Sequence, residues 1–208
     1  MTSNDHPILV SAEEGLQRLM DGNARFLNGT ARFPTVRKDV LAAMASEQHP
    51  YATIIGCSDS RVPPELVFDA NFGELFVIRV AGNVLSPEIA GTLQYAGVHL
   101  KTPLFLVLGH ENCGAIHAAL DVKFRNAAVP ARIELLLQSI LPALEEIDAY
   151  AEPAIQVEQA VEANVRWTMR QIAESAEGRF RAAEGVYKLV GAVFEIATGR
   201  VRLLEQHA

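Results

Sequence analysis

The sequence predicts an α/β fold, with a mostly parallel central β-sheet flanked by helices. Three observations carry this. The runs "YATIIG", "ELFVIRV" and "PLFLVLG" are short, apolar and rich in β-branched residues, which suits parallel strands covered on both faces. Helical patterns follow the second and third of these runs, giving the β/α alternation of a parallel sheet. Two further helical patterns precede the first strand and have no sheet partner there, so they could pack on their own domain or on a second copy of the chain.

The first helix is read in "SAEEGLQRLMDGNARFLNG". Ser11 and Glu14 have capping-box spacing, Leu16, Leu19, Met20, Asn23, Phe26 and Leu27 follow the helical period, and Gly29 is a stop. "RKDVLAAMASE" is a second helix after Pro34. Between the second and third strands, "PEIAGTLQYAGVHLK" reads as a helix begun by Ser86-Pro87, and "CGAIHAALDVKF" as another after the third strand. From Pro130 to about Ser175 the pattern is helical, with breaks near Pro142 and Pro153. "GVYKLVGAVFEIATGRVRLL" closes the chain with a strand, a turn at Thr198-Gly199 and a last strand. One domain is expected over 1–208, with a helical arm at 1–47 and an α/β core at 48–208.

With 208 residues, 50% hydrophobic and 21% charged, the chain can bury a sizeable core. Its net charge of −7 and lack of a basic patch disfavour a nucleic-acid partner. No run of 18 apolar residues is present, so no membrane partner is expected. No basic stretch followed by an apolar one opens the chain, so the expected location is cytoplasmic. Two cysteines in a reducing compartment are buried bystanders, metal ligands or reactive thiols rather than a structural disulfide.

Those cysteines sit in distinctive places. Cys57 opens "CSDSR" directly after the first strand, and His110 and Cys113 lie in "HENCG" after the third. Ligands gather at the carboxyl ends of strands in open α/β sheets, so residues 53 positions apart can meet without a long loop. Each signal alone has a plainer reading. A single buried cysteine is usually a small hydrophobe, H-x-x-C is a weak motif, and D-x-R is most often a surface ion pair. Together they form a Cys, His, Cys set whose nitrogen and sulfur donors fit zinc and leave a fourth tetrahedral position open. That position takes water or the carboxylate of Asp59. Asp59 and Arg61 point the same way as Cys57 in an extended segment. Asp59 therefore has two candidate partners, the metal and Arg61.

With C-x-D-x-R and H-x-x-C-G in place, the chain resembles the β-class carbonic anhydrases. "FGELFVIRVAGNV", "GTLQYAGVHLKTPLFLVLGH", the opening "GLQRLMDGNARFLNG" and the closing "GVYKLVGAVFEIATGRV" resemble that family too, and residues 121–180 resemble it least. The resemblance implies zinc on Cys57, His110 and Cys113, and reversible hydration of carbon dioxide to bicarbonate and a proton by a zinc-bound hydroxide. It implies a catalytic dyad of Asp59 and Arg61. It implies substrate contacts from Gln48 across a dimer interface, from the Gly114 N–H, and from Phe76, Ala81 and Tyr95 along an apolar pocket. Ala81 is smaller than the residue expected at its position. The resemblance also implies a homodimer or dimer of dimers, with N-terminal helices wrapping the partner.

In one subgroup the aspartate takes the fourth zinc position in a closed form, often with a Trp three before the first cysteine. That position is Ile54 here, so the expected resting state is open, with Asp59 on Arg61. Arg79 matches a residue that both subgroups share. His49 and His117 have the residue type of proton shuttles, against the plainer reading of surface or core histidines. The same scaffold admits a carbonyl sulfide or carbon disulfide hydrolase. A non-catalytic zinc-binding protein is the third reading, and a carboxylate beside an open position argues against it.

Overall fold

The computed structural model describes residues 10–32, 41–42, 44–185 and 187–204. Of the expected second helix, 37–47, residues 37–40 and 43 lie outside these residues, and 44–47 are turn and irregular backbone. Helix α1 (Ala12–Leu27) starts where the capping pattern puts it, with the Glu14 N–H donating to Ser11 Oγ at 3.1 Å. The return half of the box is replaced, because the Glu14 carboxylate instead accepts from Arg18 one turn on.

Among the described residues five strands form one sheet: β1 (Ala52–Gly56), β2 (Leu75–Arg79), β3 (Leu104–His110), β4 (Lys188–Phe194) and β5 (Val201–Leu203). Their order is β2-β1-β3-β4-β5, parallel throughout except for the antiparallel β4–β5 pair. The chain leaves β1 toward one edge and leaves β3 toward the other. The carboxyl ends of β1 and β3 therefore form a topological switch point, where α/β sheets place their ligands.

β1 and β3 are buried along their whole length. β2 is not. It is an edge strand, and Leu75, Phe76 and Val77 are only half-buried in a single chain. An apolar run implies cover on both faces, and one copy of the chain does not supply it here.

The helices between strands depart from the sequence reading in three places. A single turn, α2 (Pro64–Val67), begins at the Pro63-Pro64 pair, whose fixed φ suits a helix start. The helix expected over 87–101 divides into α3 (Pro87–Tyr95) and a π-helical turn (Ala96–Leu100). Lys101 closes the turn in the left-handed region, and the Ala96 carbonyl accepts from the Thr102 N–H at 3.3 Å. After α4 (Gly114–Arg125), α5 (Ala131–Leu137) and α6 (Pro153–Glu174), a further helix, α7 (Ala176–Glu184), stands where no helix is predicted. Ser175 joins it to α6 and caps it: its Oγ donates to Ile172 O at 2.7 Å and accepts from the Gly178 N–H at 2.9 Å.

α6 crosses β3 and β4 at two glycines. A Cβ on Gly109 would meet Val165 at 2.6 Å, and one on Gly191 would meet Met169 at 2.5 Å. The same helix pins the loop after β2, through Asn164 Nδ2 to Gly82 O at 2.8 Å and Thr168 Oγ1 to Asn83 O at 3.2 Å. Asn23 of α1, 2% exposed, ties three distant segments together. Its amide donates to Val67 O and Gly199 O and accepts from the Val201 N–H.

Asp69 is the other long-range anchor. Its side chain is fully buried and accepts from Arg25 Nε at 2.5 Å, the Arg32 N–H at 2.8 Å and Arg32 Nε at 3.2 Å. Burial pushes its carboxyl up, but the hydrogen bonds from Arg25 and Arg32 outweigh that and hold it below the ordinary value. A group with a depressed folded pKa contributes stability above its unfolded pKa, and that stability is lost as pH falls through the folded pKa. Asn tolerates the backbone φ of 44° at this position. Asp69→Asn is therefore expected to cost about 2 kcal/mol in urea unfolding at pH 7. The gap from the parent should narrow as pH falls below about 4. An equal gap at every pH would show that the charge is not what stabilises this site.

Candidate metal centre

Cys57 follows the last residue of β1, His110 ends β3, and Cys113 is the residue before α4. The switch point brings all three together. Their donor atoms lie within 4.8 Å of one another, and the residues are 5%, 1% and 2% exposed. The two Sγ atoms are 3.9 Å apart. That is far beyond the ~2.05 Å of a disulfide. It is close to the ~3.8 Å between two thiolates bound tetrahedrally to one zinc at ~2.3 Å.

The histidine is oriented for a ligand. Its Nδ1 lies 2.8 Å from Glu111 O, and a ring N–H donated there leaves Nε2 as the free lone pair. Nε2 is buried and has no hydrogen-bond partner among the described residues, which is costly unless something binds it. One imidazole with two sulfurs, and no fourth donor in the cluster among the described residues, suits an open zinc site rather than a closed structural one.

One of the two sulfurs is already favoured as a thiolate. A hydrogen bond from Cys113 stabilises the Cys57 thiolate. Burial opposes this, while His110 and the backbone of Asp59 and Gly82 assist, bringing the Cys57 thiol well below its ordinary value. Cys113 keeps its proton as the donor to Cys57, so its thiol is pushed up, with burial adding to the effect. The Gly82 N–H sits 3.4 Å from Cys57 Sγ. Gly82 adopts a positive φ of 69° there, and a Cβ would strike Ile140 at 2.8 Å.

Asp59 is on Arg61. Arg61 Nε donates to Oδ1 at 2.9 Å and Nη2 to Oδ2 at 2.7 Å, and the Arg61 N–H reaches Oδ1 at 2.9 Å. These bonds hold the Asp59 carboxyl far below the usual carboxylate range, against a smaller opposing effect of burial. Oδ2 is 3.9 Å from His110 Nε2, so the carboxylate borders the cluster. Arg61 also donates to Asn112 O at 3.3 Å, linking the segment after β1 to the turn before α4.

Arg79, known from the sequence only as a residue that both subgroups share, has a clear task in the structure. It donates to Cys57 O at 2.9 Å and to Asp59 O at 2.5 Å, clamping the backbone that carries both residues. Its position at the end of β2, in register with Gly56, is the signal that could have found it. The Gly82 and Asn164 contacts carried no sequence signal.

The other expected site residues divide between two places. Ala81 and Gly114 adjoin the cluster, next to Gly82 and Cys113 in the chain, and a Cβ on Gly114 would meet nothing within 4 Å. Gln48 and Tyr95 instead line an open cavity of about 510 Å³ with Pro50, Tyr51 and Pro103. Phe76 is 6.1 Å from Tyr95, ring to ring. This group lies at the amino ends of the strands, a strand length of ~15 Å from the sulfurs along β1. His49 is exposed beside Glu47, and His117 is exposed on α4.

A sequence profile described as Carbonic anhydrase matches residues 52–201. The chain is 33% identical over 193 residues to carbonic anhydrase 2 of Mycobacterium tuberculosis, covering 89% of each. It is 32% identical over 185 residues to a carbonic anhydrase of Mycolicibacterium smegmatis, again covering 89% of each. The solved β-carbonic anhydrase of Coccomyxa is 28% identical with a TM-score of 0.74, over 92% of this chain and 86% of that one. No helix among the described residues is long and apolar enough to cross a membrane. Profile, relatives, sheet topology and the Cys57–His110–Cys113 cluster agree, and the chain belongs to the β-carbonic anhydrase family.

Proposed function

We propose that this protein is a zinc-dependent carbonate dehydratase, interconverting carbon dioxide with bicarbonate and a proton. The observation that carries the reading is the buried Cys57–His110–Cys113 cluster with the Asp59–Arg61 pair at its border. Zinc supplies a Lewis acid that lowers the pKa of a bound water to about 7, so a nucleophile exists at neutral pH.

The chain's own residues then have distinct tasks. Cys57, His110 and Cys113 hold the metal. Asp59, kept ionised by Arg61, accepts a proton-side hydrogen bond from the nucleophilic oxygen and aims its lone pair at the carbon. Arg61 keeps that carboxylate turned away from the metal, which makes the open form the resting one. The Gly114 N–H, at the positive end of α4, faces developing negative charge on the substrate oxygen. Ala81 forms part of the apolar wall. Carbon dioxide is small and apolar, so positioning does most of the work.

Gln48, Phe76 and Tyr95 gather at the far end of the strands from their own sulfurs. We assign them to the site of a second copy, which also gives the exposed face of β2 the cover its sequence implies. A homodimer, or a dimer of dimers, follows. A reducing, cytoplasmic setting keeps both thiols available for metal.

Hydrolysis of carbonyl sulfide or carbon disulfide would use the same ligands. The zinc-loaded protein should be assayed against all three substrates in a pH-indicator stopped flow at pH 8.5. Carbon dioxide is expected to give the highest kcat/KM by at least tenfold. A preference for either sulfur substrate would reassign the activity, and inertness to all three would leave a zinc-binding protein.

A further inference from the structure

The metal cluster is braced by a helix that contributes no ligand to it. Two backbone groups donate to Cys57 Sγ. One belongs to Asp59, two residues along the same segment. The other is the Gly82 N–H, at 3.4 Å, which arrives from 25 positions away. Local backbone sets the first. The second depends on how the turn Ala81–Asn83 is held over the end of β1.

That turn does not hold itself. Gly82 and Asn83 both lie in the left-handed region, with φ of 69° and 44°. Backbone of this kind persists only where its surroundings fix it. Position 82 also cannot carry a stiffer residue, because a Cβ would meet Ile140 at 2.8 Å and Ala115 at 3.1 Å. A glycine is free to turn, so a bond to its carbonyl decides which way its own N–H faces. α6 supplies that bond: Asn164 Nδ2 donates to Gly82 O at 2.8 Å. One turn later on the same face, Thr168 Oγ1 donates to Asn83 O at 3.2 Å. Asn164 and Thr168 are 1% and 0% exposed, so water does not compete for either bond. Asn164 Oδ1 is buried with no hydrogen-bond partner among the described residues. An apolar side chain would fill this position without that cost. What the amide adds is its hold on Gly82.

We propose that Asn164 is a positioning residue of the metal centre: by holding the Gly82 carbonyl it aims the Gly82 N–H at Cys57 Sγ and so tunes the metal–thiolate bond, with Thr168 as a second strut. The inference rests on the zinc reading of the Cys57–His110–Cys113 cluster. An N–H that donates to a metal-bound thiolate draws charge from the sulfur and fixes its direction. Outer-shell bonds of this kind are worth ~10–100-fold in metal affinity or activity.

Asn164→Leu keeps the volume and removes the donor. Two readouts apply: zinc affinity by competition with a chelator, and the sulfur-to-metal charge-transfer band of the cobalt(II)-loaded protein. The variant should keep its far-UV spectrum and bind zinc about tenfold or more weakly. Its cobalt band should move to longer wavelength, because a sulfur without its hydrogen bond gives up charge more readily. Thr168→Val, which acts one carbonyl further from the sulfur, should shift both readouts the same way by less. Ile172→Ala opens a gap in the core two turns further along α6, and should lower Tm while leaving both readouts at parent values. A folded Asn164→Leu with the parent's zinc affinity and cobalt band would overturn the inference, as would equal shifts in Ile172→Ala. If Asn164→Leu does not fold, Thr168→Val decides by the same readouts. A parent that takes up neither metal would overturn the zinc reading and this inference with it.

Discussion

Cys113→Ser is expected to leave the fold standing and remove zinc. Cys113 and serine are nearly isosteric, and the side chain is 2% exposed at the start of α4, so little packing is lost. The metal loses one of three protein donors. Outer-shell changes already weaken zinc ~10–100-fold, and loss of a direct thiolate should exceed that. Two measurements separate folding from ligation. Zinc binds the folded protein, so saturating zinc at ~1,000 times Kd should stabilise the parent by about 4 kcal/mol. In a chain of this size that raises Tm by ~10 °C. Cys113→Ser should retain its far-UV spectrum, show no such shift at the same zinc concentration, and hydrate carbon dioxide no faster than buffer. A variant that keeps both the zinc-dependent shift and turnover would remove Cys113 from the metal site.

The dyad gives the second large effect, and here metal content should not change. In Asp59→Asn the new amide presents N–H groups where Arg61 already donates, so the pair is lost and no ionised acceptor remains. Turnover is expected to fall ~100-fold or more, in line with removal of one positioned proton acceptor. Arg61→Ala works from the other side. It frees Asp59, whose Oδ2 is already 3.9 Å from His110 Nε2, to compete for the fourth metal position. A similar loss of kcat is expected, with one zinc retained per chain. Arg61→Lys should restore little, because a point charge cannot reproduce the two parallel bonds. If either Asp59→Asn or Arg61→Ala turned over normally at full zinc occupancy, the dyad would be a structural ion pair.

What was legible in the sequence was local or positional. The apolar runs marked β1 and β3 because both are buried throughout, and the strand ends then placed Cys57 and His110 side by side. Ser11 and Ser86 marked helix starts because a cap is set by neighbouring residues, and both hydroxyls accept the expected N–H. The run at β2 marked a parallel strand correctly and overstated only its burial in one copy of the chain. Its run of Leu75, Phe76 and Val77 demands burial, but one copy of the chain leaves it at an edge. α7 escaped because "AEGRFRAAE" has no sustained apolar period, and Gly178 lowers its helical preference.

In the site, residue types were readable and the scaffolding was not. Arg79 clamps Cys57 and Asp59 from another strand, and Asn164 reaches Gly82 across 82 positions. Such contacts depend on which strands become neighbours, which no local pattern encodes.

The central claim is that a zinc ion on Cys57, His110 and Cys113 makes this chain a carbonic anhydrase. Metal-stripped protein should be titrated with zinc while carbon dioxide hydration is followed by stopped flow at pH 8.5. The expected result is turnover rising linearly with added zinc and levelling at one ion per chain. One bound zinc per chain with hydration no faster than buffer would contradict it.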